Sequence, residues 1–256
     1  LDTEAILDLA RQAPLLAAPC PVQWPSGPDS AMKVRIGVVK DTSLWFYYPE
    51  NLEALERAGA DIVEVSLLEQ RPWPEIHGLY LGGGFPETQA AALSRNSPTL
   101  THIAALAEQG LPIYAECGGL MVLCAELSFQ ESSFPMAGVF PVRTEVSTKP
   151  QGHGYTLVRV QGQNPYHPVN IEFSGHEFHY SRCSCQESAR PCMRMLRGTG
   201  LGSGGDGMLY KNTFACYTHL HALSVPTWAP NFVLAAQSFK SCMDSGHQQC
   251  PQIVAS

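Results

Sequence analysis

Charge is scarce in this sequence, and scarcest in the sign that a nucleic-acid partner would require. Asp, Glu, Lys and Arg make up 15% of the 256 residues, with 16 Lys and Arg against 23 Asp and Glu, a formal net charge of −7. Binding a phosphate backbone asks for a clustered basic surface. No nucleic acid is therefore expected, and small molecules or other proteins are the expected partners. No stretch approaches the roughly 18 consecutive apolar residues of a membrane span. The opening LDTEAILDLA also lacks the basic n-region of a secretory signal. These absences predict no membrane partner and a cytoplasmic location. Nowhere does G-x-x-x-x-G-K-[ST] occur, so these residues offer no P-loop for nucleotide phosphates. Cysteine is present, nine in number, but in an odd set without paired C-x-x-C knuckles or a regular framework. With no secretory signal the cysteines are read as reduced thiols, and no metal is expected.

What is there divides into three parts. Residues 1–31 begin with a short helical pattern, Ile6, Leu7 and Ala10, then run through Pro14, Pro19, Pro21, Pro25 and Pro28. Such a run reads as a linker, which predicts an upstream domain in the full protein. Residues 32–240 form the domain proper. Residues 241–256 have no periodicity and are expected to be a disordered tail.

From Met32 strand and helix alternate. MKVRIGVV, DIVEV and HGLYL read as strands, Pro49 to Ala58 as a helix stopped by Gly59, and the segment after Ser97-Pro98 as a helix closed by Gly110. Alternation of this kind predicts an α/β fold, a mostly parallel sheet with helices on both faces, with ligands at the carboxyl ends of the strands. After Ser128 the pattern changes to GVFPVRTEV, GYTLVRV and NIEFSGHEFHYS, expected as antiparallel strands added at the sheet edge. Residues 182–207 read as a long surface loop, LYKNTFACYTHLH as a strand carrying His219 and His221, and NFVLAAQSFK as a closing helix.

The chain is organised around LPIYAECGGLMVLCAEL, Leu111 to Leu127. Leu111, Ile113 and Tyr114 form a short apolar run. Leu120, Leu123, Cys124 and Leu127 then recur at i, i+3, i+4 and i+7, so a buried strand turns into a helix at Gly118-Gly119. Cys117 stands at the turn. Most free cysteines are small core residues, but a thiol at a strand end, facing a helix N-terminus and flanked by glycines, has the setting of a nucleophile. A thiolate nucleophile needs a base, and His219 at the end of a late strand is the candidate. Gly118 and the glycine loop after Leu81, chiefly Gly83 and Gly84, offer backbone N–H groups to an oxyanion. Glu87 is a candidate for the amino group of a substrate or for the start of the next helix, and Glu116 for bracing the turn.

Other constellations carry less. His176-Glu177-Phe178-His179 resembles a zinc-protease motif, but its histidines are three apart in strand-like sequence and face opposite sides. Gly200, Gly202 and Gly205 match a dinucleotide fingerprint in letters only, since no helix pattern follows.

LYLGGGFPE (79–87), LPIYAECGGLM (111–121), SGHEFHYS (174–181), ACYTHLH (215–221) and FYYPENLEALERAGA (46–60) closely resemble, in order, the glutamine amidotransferase domain of the cobyrinic acid a,c-diamide synthase family. The match spans roughly Met32 to Lys240. LDTEAILDLARQAP resembles the connector that follows the family's ATP-dependent amidoligase domain. The resemblance implies a flavodoxin-like class I glutamine amidotransferase fold, with Cys117 as nucleophile and His219 as its base. It implies ammonia released from glutamine and used to amidate the a and c carboxylates of a corrin-type tetrapyrrole, cobyrinic acid, in cobalamin biosynthesis. ATP and Mg²⁺ would belong to the upstream synthetase domain and no cofactor to this segment. His176, His179 and Tyr180 are candidates for the tetrapyrrole side. Two positions depart from the general amidotransferase pattern: Ala115 replaces a glycine two residues before the nucleophile, and His221 replaces an acid two residues after the histidine. His221 therefore joins Glu87 and Glu116 as a candidate support. The alternatives are a related tetrapyrrole such as sirohaem, a different cysteine hydrolase on the same fold, or a non-catalytic tetrapyrrole-binding module.

Overall fold

A computed structural model describes residues 1–16, 24, 32–184, 191–202 and 204–255. Of the segment 1–31 expected as a linker, 17–23 and 25–31, with Pro19, Pro21, Pro25 and Pro28, lie outside the described residues. Its start forms helix α1 (Thr3–Gln12), capped by the Asp2 carboxylate on Ala5 N–H and with no buried residue.

The chain then builds β1 (Val34–Val39), β2 (Leu44–Phe46), α2 (Pro49–Arg57), β3 (Ala60–Val65), β4 (Gly78–Leu81) and β5 (Gly83–Gly84). There follow a 3-10 turn (Pro86–Gln89), α3 (Ala90–Arg95), α4 (Ser97–Gln109), β6 (Ile113–Glu116) and α5 (Gly118–Leu123). Pro sits in the first turn of α2 and α4, where its missing N–H costs nothing, and Gly110 ends α4 in the left-handed region at φ 89°. Eight strands come next: β7 (Cys124–Phe129), β8 (Ser132–Pro135), β9 (Phe140–Val146), β10 (Gly152–Val160), β11 (Glu172–His179), β12 (Ser181–Ser184), β13 (Met193–Arg197) and β14 (Gly205–Asp206). The hairpin β15 (Met208–Tyr210) and β16 (Thr213–Cys216) and the helix α6 (Trp228–Asp244) close the fold.

The central sheet has the order β15-β16-β6-β4-β1-β3 and is parallel except for the edge pair β15–β16. Alternate residues of its strands go to opposite faces. Ile36, Val38, Tyr80, Tyr114 and Phe214 pack with Leu55 of α2 and with Trp228 and Phe232 of α6. Val39, Leu79, Leu81, Ile113 and Ala115 pack with Leu100, Ile103 and Ala107 of α4. Burial on both faces is why these strands read as continuous apolar runs. β1 has β3 on one side and β4 on the other, so the winding reverses at β1 and opens a crevice at the carboxyl ends.

Several elements differ from the sequence expectation. The helix after Cys117 stops at Leu123 instead of continuing to Leu127. Val122 and Cys124 carbonyls accept from Ala137 and Gly138 N–H at 3.0 and 2.9 Å, and Cys124–Phe129 pairs as a strand with β8 and β9. Cys124 and Leu127 are buried in either conformation, so their spacing does not discriminate. The strands after Ser128 do not extend the central sheet. They form two four-stranded sheets, β11-β10-β13-β14 and β12-β9-β7-β8, and the antiparallel addition at the central edge is β15.

Residues 182–207 are not one surface loop: they contain β12, β13 and β14 and bury Met193 and Asp206, while 185–190, with Cys185, lie outside the described residues. The expected strand 209–221 is the β15–β16 hairpin followed by an irregular segment that carries His219. The chain end expected as a disordered tail is docked. Helix α6 runs to Asp244, Cys242 and Cys250 form a disulfide, and Cys250, Ile253 and Ala255 N–H groups donate to Gln109 O, Asn212 Oδ1 and Asn164 O. The reading of all cysteines as thiols is corrected there. Lack of periodicity marked irregular backbone, whose polar groups are satisfied here by the neighbouring loops.

Candidate active site

Three strand ends meet in the crevice: β4 with its glycine loop, β6 with Cys117, and β16 with the segment to His219. Cys117 takes φ 49° and ψ −98°, a left-handed backbone for a non-glycine residue, which costs on the order of 1–3 kcal/mol and persists where neighbours enforce it. They do so through the main chain. Cys117 N–H donates to Cys216 O at 2.8 Å, and Cys117 O accepts from Met121 N–H at 3.2 Å. Gly119 N–H donates to Gly82 O at 3.1 Å, so the elbow is tied to the glycine loop. Gly118 backs onto that loop so closely that a Cβ there would lie 2.9 Å from Gly84 O and 3.0 Å from Gly84 N.

His219 is buried at 4% exposure and is gripped from several sides. Its Nδ1 faces Glu116 Oε2 at 3.4 Å. Glu116 is itself fixed, accepting from Tyr80 Oη at 3.2 Å and from Leu220 N–H at 3.2 Å. The main chain of His219 forms a reciprocal bridge with His176 at 2.7 and 3.1 Å. The His176 ring stacks on the His219 ring with centroids 4.8 Å apart, and Phe46 meets it edge-on at 5.2 Å. The preceding residues Tyr217 and Thr218 hang from the buried Asp206 carboxylate by N–H bonds of 3.0 and 2.9 Å. Cys117 Sγ itself donates to Phe178 O at 3.8 Å. Burial alone would pull the His219 pKa down, but the neighbouring Cys117 and Glu116 side chains outweigh it and push it up to about 10. The imidazolium is thus the favoured form at neutral pH when its neighbours are anionic.

Cys117 and His219 line one cavity of about 210 Å³ together with Trp45, Phe46, Gly84, Phe85, His176 and Phe178. The cavity is walled by aromatic rings, which limits water at the thiol. Tyr47 underlies the loop: its hydroxyl bonds Val39 O and accepts from Gly82 N–H at 2.9 Å. That leaves Gly84, which lines the cavity with Cys117, and Gly118, whose main chain adjoins it. Gly83 serves by lacking a side chain, because a Cβ there would stand 2.5 Å from His219 Cε1.

The other candidates separate. Glu116, expected to brace the turn and a candidate support, is the group beside His219 Nδ1. His221 is turned away, its Nε2 3.6 Å from Glu50 and its ring 4.8 Å from Tyr48, so it does not support His219 directly. Glu87 lies at the start of the 3-10 turn, half-buried and outside the cavity lining, and burial pushes its carboxyl up. His176 faces the cavity. His179 does not: it is buried, stacked on Tyr217 at 3.7 Å, with Nδ1 2.8 Å from Ser181 O. Alternation along β11 sends His179 to the inner face, away from the cavity that His176 faces. Tyr180 is half-buried near Phe178. The cluster Trp45–Tyr48 was missed as site residues, although FYYPE stands out as an aromatic run just after a strand end.

The CobB/CobQ-like glutamine amidotransferase domain family matches residues 35–227. The cobyrinate a,c-diamide synthase of Magnetococcus marinus is 42% identical over 237 residues, covering 89% of this chain and 51% of that protein. That of Archaeoglobus fulgidus is 37% identical over 241 residues, covering 94% and 52%. The chain thus spans about half the length of the curated relatives it matches. Among solved structures, PurLQS from Thermotoga maritima aligns with a TM-score of 0.62 at 17% identity, covering 82% of this chain and 100% of that one. A glutamine amidotransferase aligns with a TM-score of 0.55 at 18% identity, covering 79% and 98%. These likenesses identify the fold as that of class I glutamine amidotransferases. Among the described residues no helix is long and apolar enough to cross a membrane. With the matched residues running from within β1 to just short of α6, the chain belongs to the CobB/CobQ-like glutamine amidotransferase domain family.

Proposed function

We propose that this chain hydrolyses glutamine and supplies the ammonia for amidation of the a and c carboxylates of cobyrinic acid. The observation that carries the reading is the convergence of Cys117 and His219 on one small aromatic-walled cavity beside Gly84, with Glu116 behind His219 at its Nδ1 and Gly118 backed onto Gly84. Cys117 Sγ attacks the carbon of the side-chain amide, and the carbonyl oxygen takes up the electron pair beside the Gly84 and Gly118 main chain. His219, held as imidazolium, gives its proton to the nitrogen as the C–N bond breaks, releasing ammonia and leaving a γ-glutamyl thioester. Neutral His219 then takes a proton from water, whose oxygen attacks the thioester; the C–S bond breaks, glutamate leaves with its new γ-carboxyl group, and the thiolate–imidazolium pair from which Sγ attacked is restored. Glu116 orients His219 and stabilises its charged form, the role an acid plays behind a catalytic histidine.

ATP and Mg²⁺ would be held by the half of the relatives that this chain does not span, since these residues offer no P-loop. The amidation step belongs to the half of the relatives that this chain does not span. Glutamate release from glutamine by the purified chain tests the first half of the reaction. Cys117→Ser should lower that rate about 10³-fold or more, while a synthase reconstituted with the upstream half should still amidate cobyrinic acid from added ammonium. Glutamate release unchanged by the substitution would overturn the reading. Amidation of another tetrapyrrole in place of cobyrinic acid would correct the acceptor alone.

A further inference from the structure

His176 enters the cavity beside His219 yet has no step in the proposed hydrolysis. Its position is built with more care than filling space requires. The two-way main-chain bridge at 2.7 and 3.1 Å fixes β11 against the segment after β16 and sets the two side chains side by side. The rings are nearly parallel, 17° apart with centroids at 4.8 Å. The rotation of the His176 ring is set from outside the pair, by Tyr48 Oη at 3.1 Å from Nδ1. Phe46 closes the corner, edge-on to both imidazoles at 5.9 and 5.2 Å.

We propose that His176 is a positioning residue, a neutral ring whose face holds the His219 imidazolium against the Cys117 thiol, with Tyr48 as the latch that sets its plane. Stacked imidazoles at this separation do not both carry a proton easily. His219 has a carboxylate at its Nδ1, Glu116 at 3.4 Å, and shares the cavity with Cys117, so it takes the charge. Burial and the adjacent His219 charge bring His176 down to about 4. The titratable groups around His176 are accordingly His219 and Cys117 in the cavity, Glu116 beyond His219, Tyr155 directly opposite on β10, and Tyr48 with His221 and Glu50 behind it. A neutral aromatic face beside a cation attracts it, more strongly where water is excluded.

The inference rests on the glutaminase reading, so its test includes a measurement that needs no glutamine: the pH dependence of Cys117 alkylation by iodoacetamide. His176→Ala should lower kcat for glutamine hydrolysis about tenfold, with KM within about threefold, since the lost contact is to His219 and not to substrate. It should also move the acid limb of the alkylation profile to higher pH, because the ion pair is less favoured. His176→Phe keeps an aromatic face and should recover kcat to within about threefold of wild type. Tyr48→Phe, which loses only the latch, should shift the profile in the same direction as His176→Ala but less.

An alkylation profile unmoved in both His176→Ala and Tyr48→Phe, or a loss confined to KM, would overturn the proposal. So would a His176→Phe variant that folds but performs no better than alanine. If His176→Ala does not fold, judged by thermal melting, the phenylalanine and Tyr48 variants carry the same decision. Wild-type protein that does not hydrolyse glutamine would sink the glutaminase reading, while the alkylation profiles would still decide the role of His176.

Discussion

Cys117 is positioned by main chain, and His219 chiefly by side chains added to its main-chain bridge with His176. Around the thiol the contacts are Cys117 N–H to Cys216 O, Met121 N–H to Cys117 O, Gly119 N–H to Gly82 O and Cys117 Sγ to the main-chain Phe178 O, with glycines where a Cβ would collide. Around the imidazole they are the carboxylates of Glu116 and Asp206, the rings of His176 and Phe46, and the amide of Asn51, which bonds Leu220 O and Ala222 N–H at 3.0 and 2.7 Å. Main-chain support needs only a backbone that can reach the geometry. Side-chain support needs particular functional groups from five distant segments. The thiol's place should therefore respond chiefly to added bulk, and the imidazole's to lost polar groups.

Glu116→Gln breaks the second kind of support and should have the largest effect of any substitution that leaves Cys117 and His219 in place. The amide is nearly isosteric and can still accept from Leu220 N–H, but the negative charge beside His219 Nδ1 is gone. Replacing the acid behind a catalytic histidine by its amide lowers kcat by about 10²–10⁴-fold, and a loss in that range is expected in glutamate release. The sign of the pH effect follows from the shift. Glu116 is among the groups that push His219 up to about 10, so its removal lowers that pKa. The alkaline limb of the rate profile should then move to lower pH, where the imidazolium that protonates the leaving ammonia is lost. An unmoved alkaline limb would show that Glu116 does not act through His219.

Gly83→Ala tests the first kind of support at the point where it meets the second. The added Cβ would be 2.5 Å from His219 Cε1 and 3.3 Å from Phe46 Cδ1. The imidazole is held by Glu116 on one edge and His176 on one face, so its room to retreat is small. Overpacking of this kind costs about 1–3 kcal/mol. The expected outcome is a lower melting temperature together with a fall in kcat of about tenfold, the fall being what a displacement of order 1 Å produces at a reacting group. Wild-type kcat at reduced stability would mean that the glycine is needed for folding only.

The same contrast accounts for what was legible in the sequence. Period and punctuation revealed β1, α2, β4, α4 and β6, because each is buried on both faces or ended by a marked residue such as Gly110. Cys117 was legible because the strand, the turn and the glycines are contiguous. Gly83, Gly84 and Gly118 were legible for the same reason, although nothing local hints that Tyr47 occupies Gly82 N–H and so narrows the choice. Glu116 was visible but its partner was not, since 103 positions separate it from His219. His176, Asp206 and Asn51 were beyond reach as supports, because nothing local to them records where the strand ends converge. Leu120 to Leu127 misled for a different reason: a spacing that buries the same residues in helix and strand does not say which backbone carries them. The docked chain end misled because its hydrogen bonds go to loops, leaving no period to read.

His221→Ala should have the smallest effect, and it is the sharpest test of whether geometry or sequence position assigns the supporting acid. Family expectation puts an acid two residues after the histidine, where this chain has His221, so a reading by position alone would make that side chain the natural partner of His219. The structure sends it the other way. Its Nε2 is 3.6 Å from Glu50 Oε2, with both side chains partly exposed at 33% and 42%, and such a surface pair contributes about 0–1 kcal/mol. Its one link to the site is indirect, through the face of Tyr48 at 4.8 Å, and Tyr48 in turn contacts His176 at Nδ1. Each contact in that relay is weak and the latch on His176 survives the change. A fall in kcat of no more than about threefold is therefore expected, with the alkaline limb unmoved. A loss approaching that of Glu116→Gln, measured as glutamate release under identical conditions, would return the supporting role to His221 and leave the 3.4 Å approach of Glu116 to His219 without consequence for the reaction.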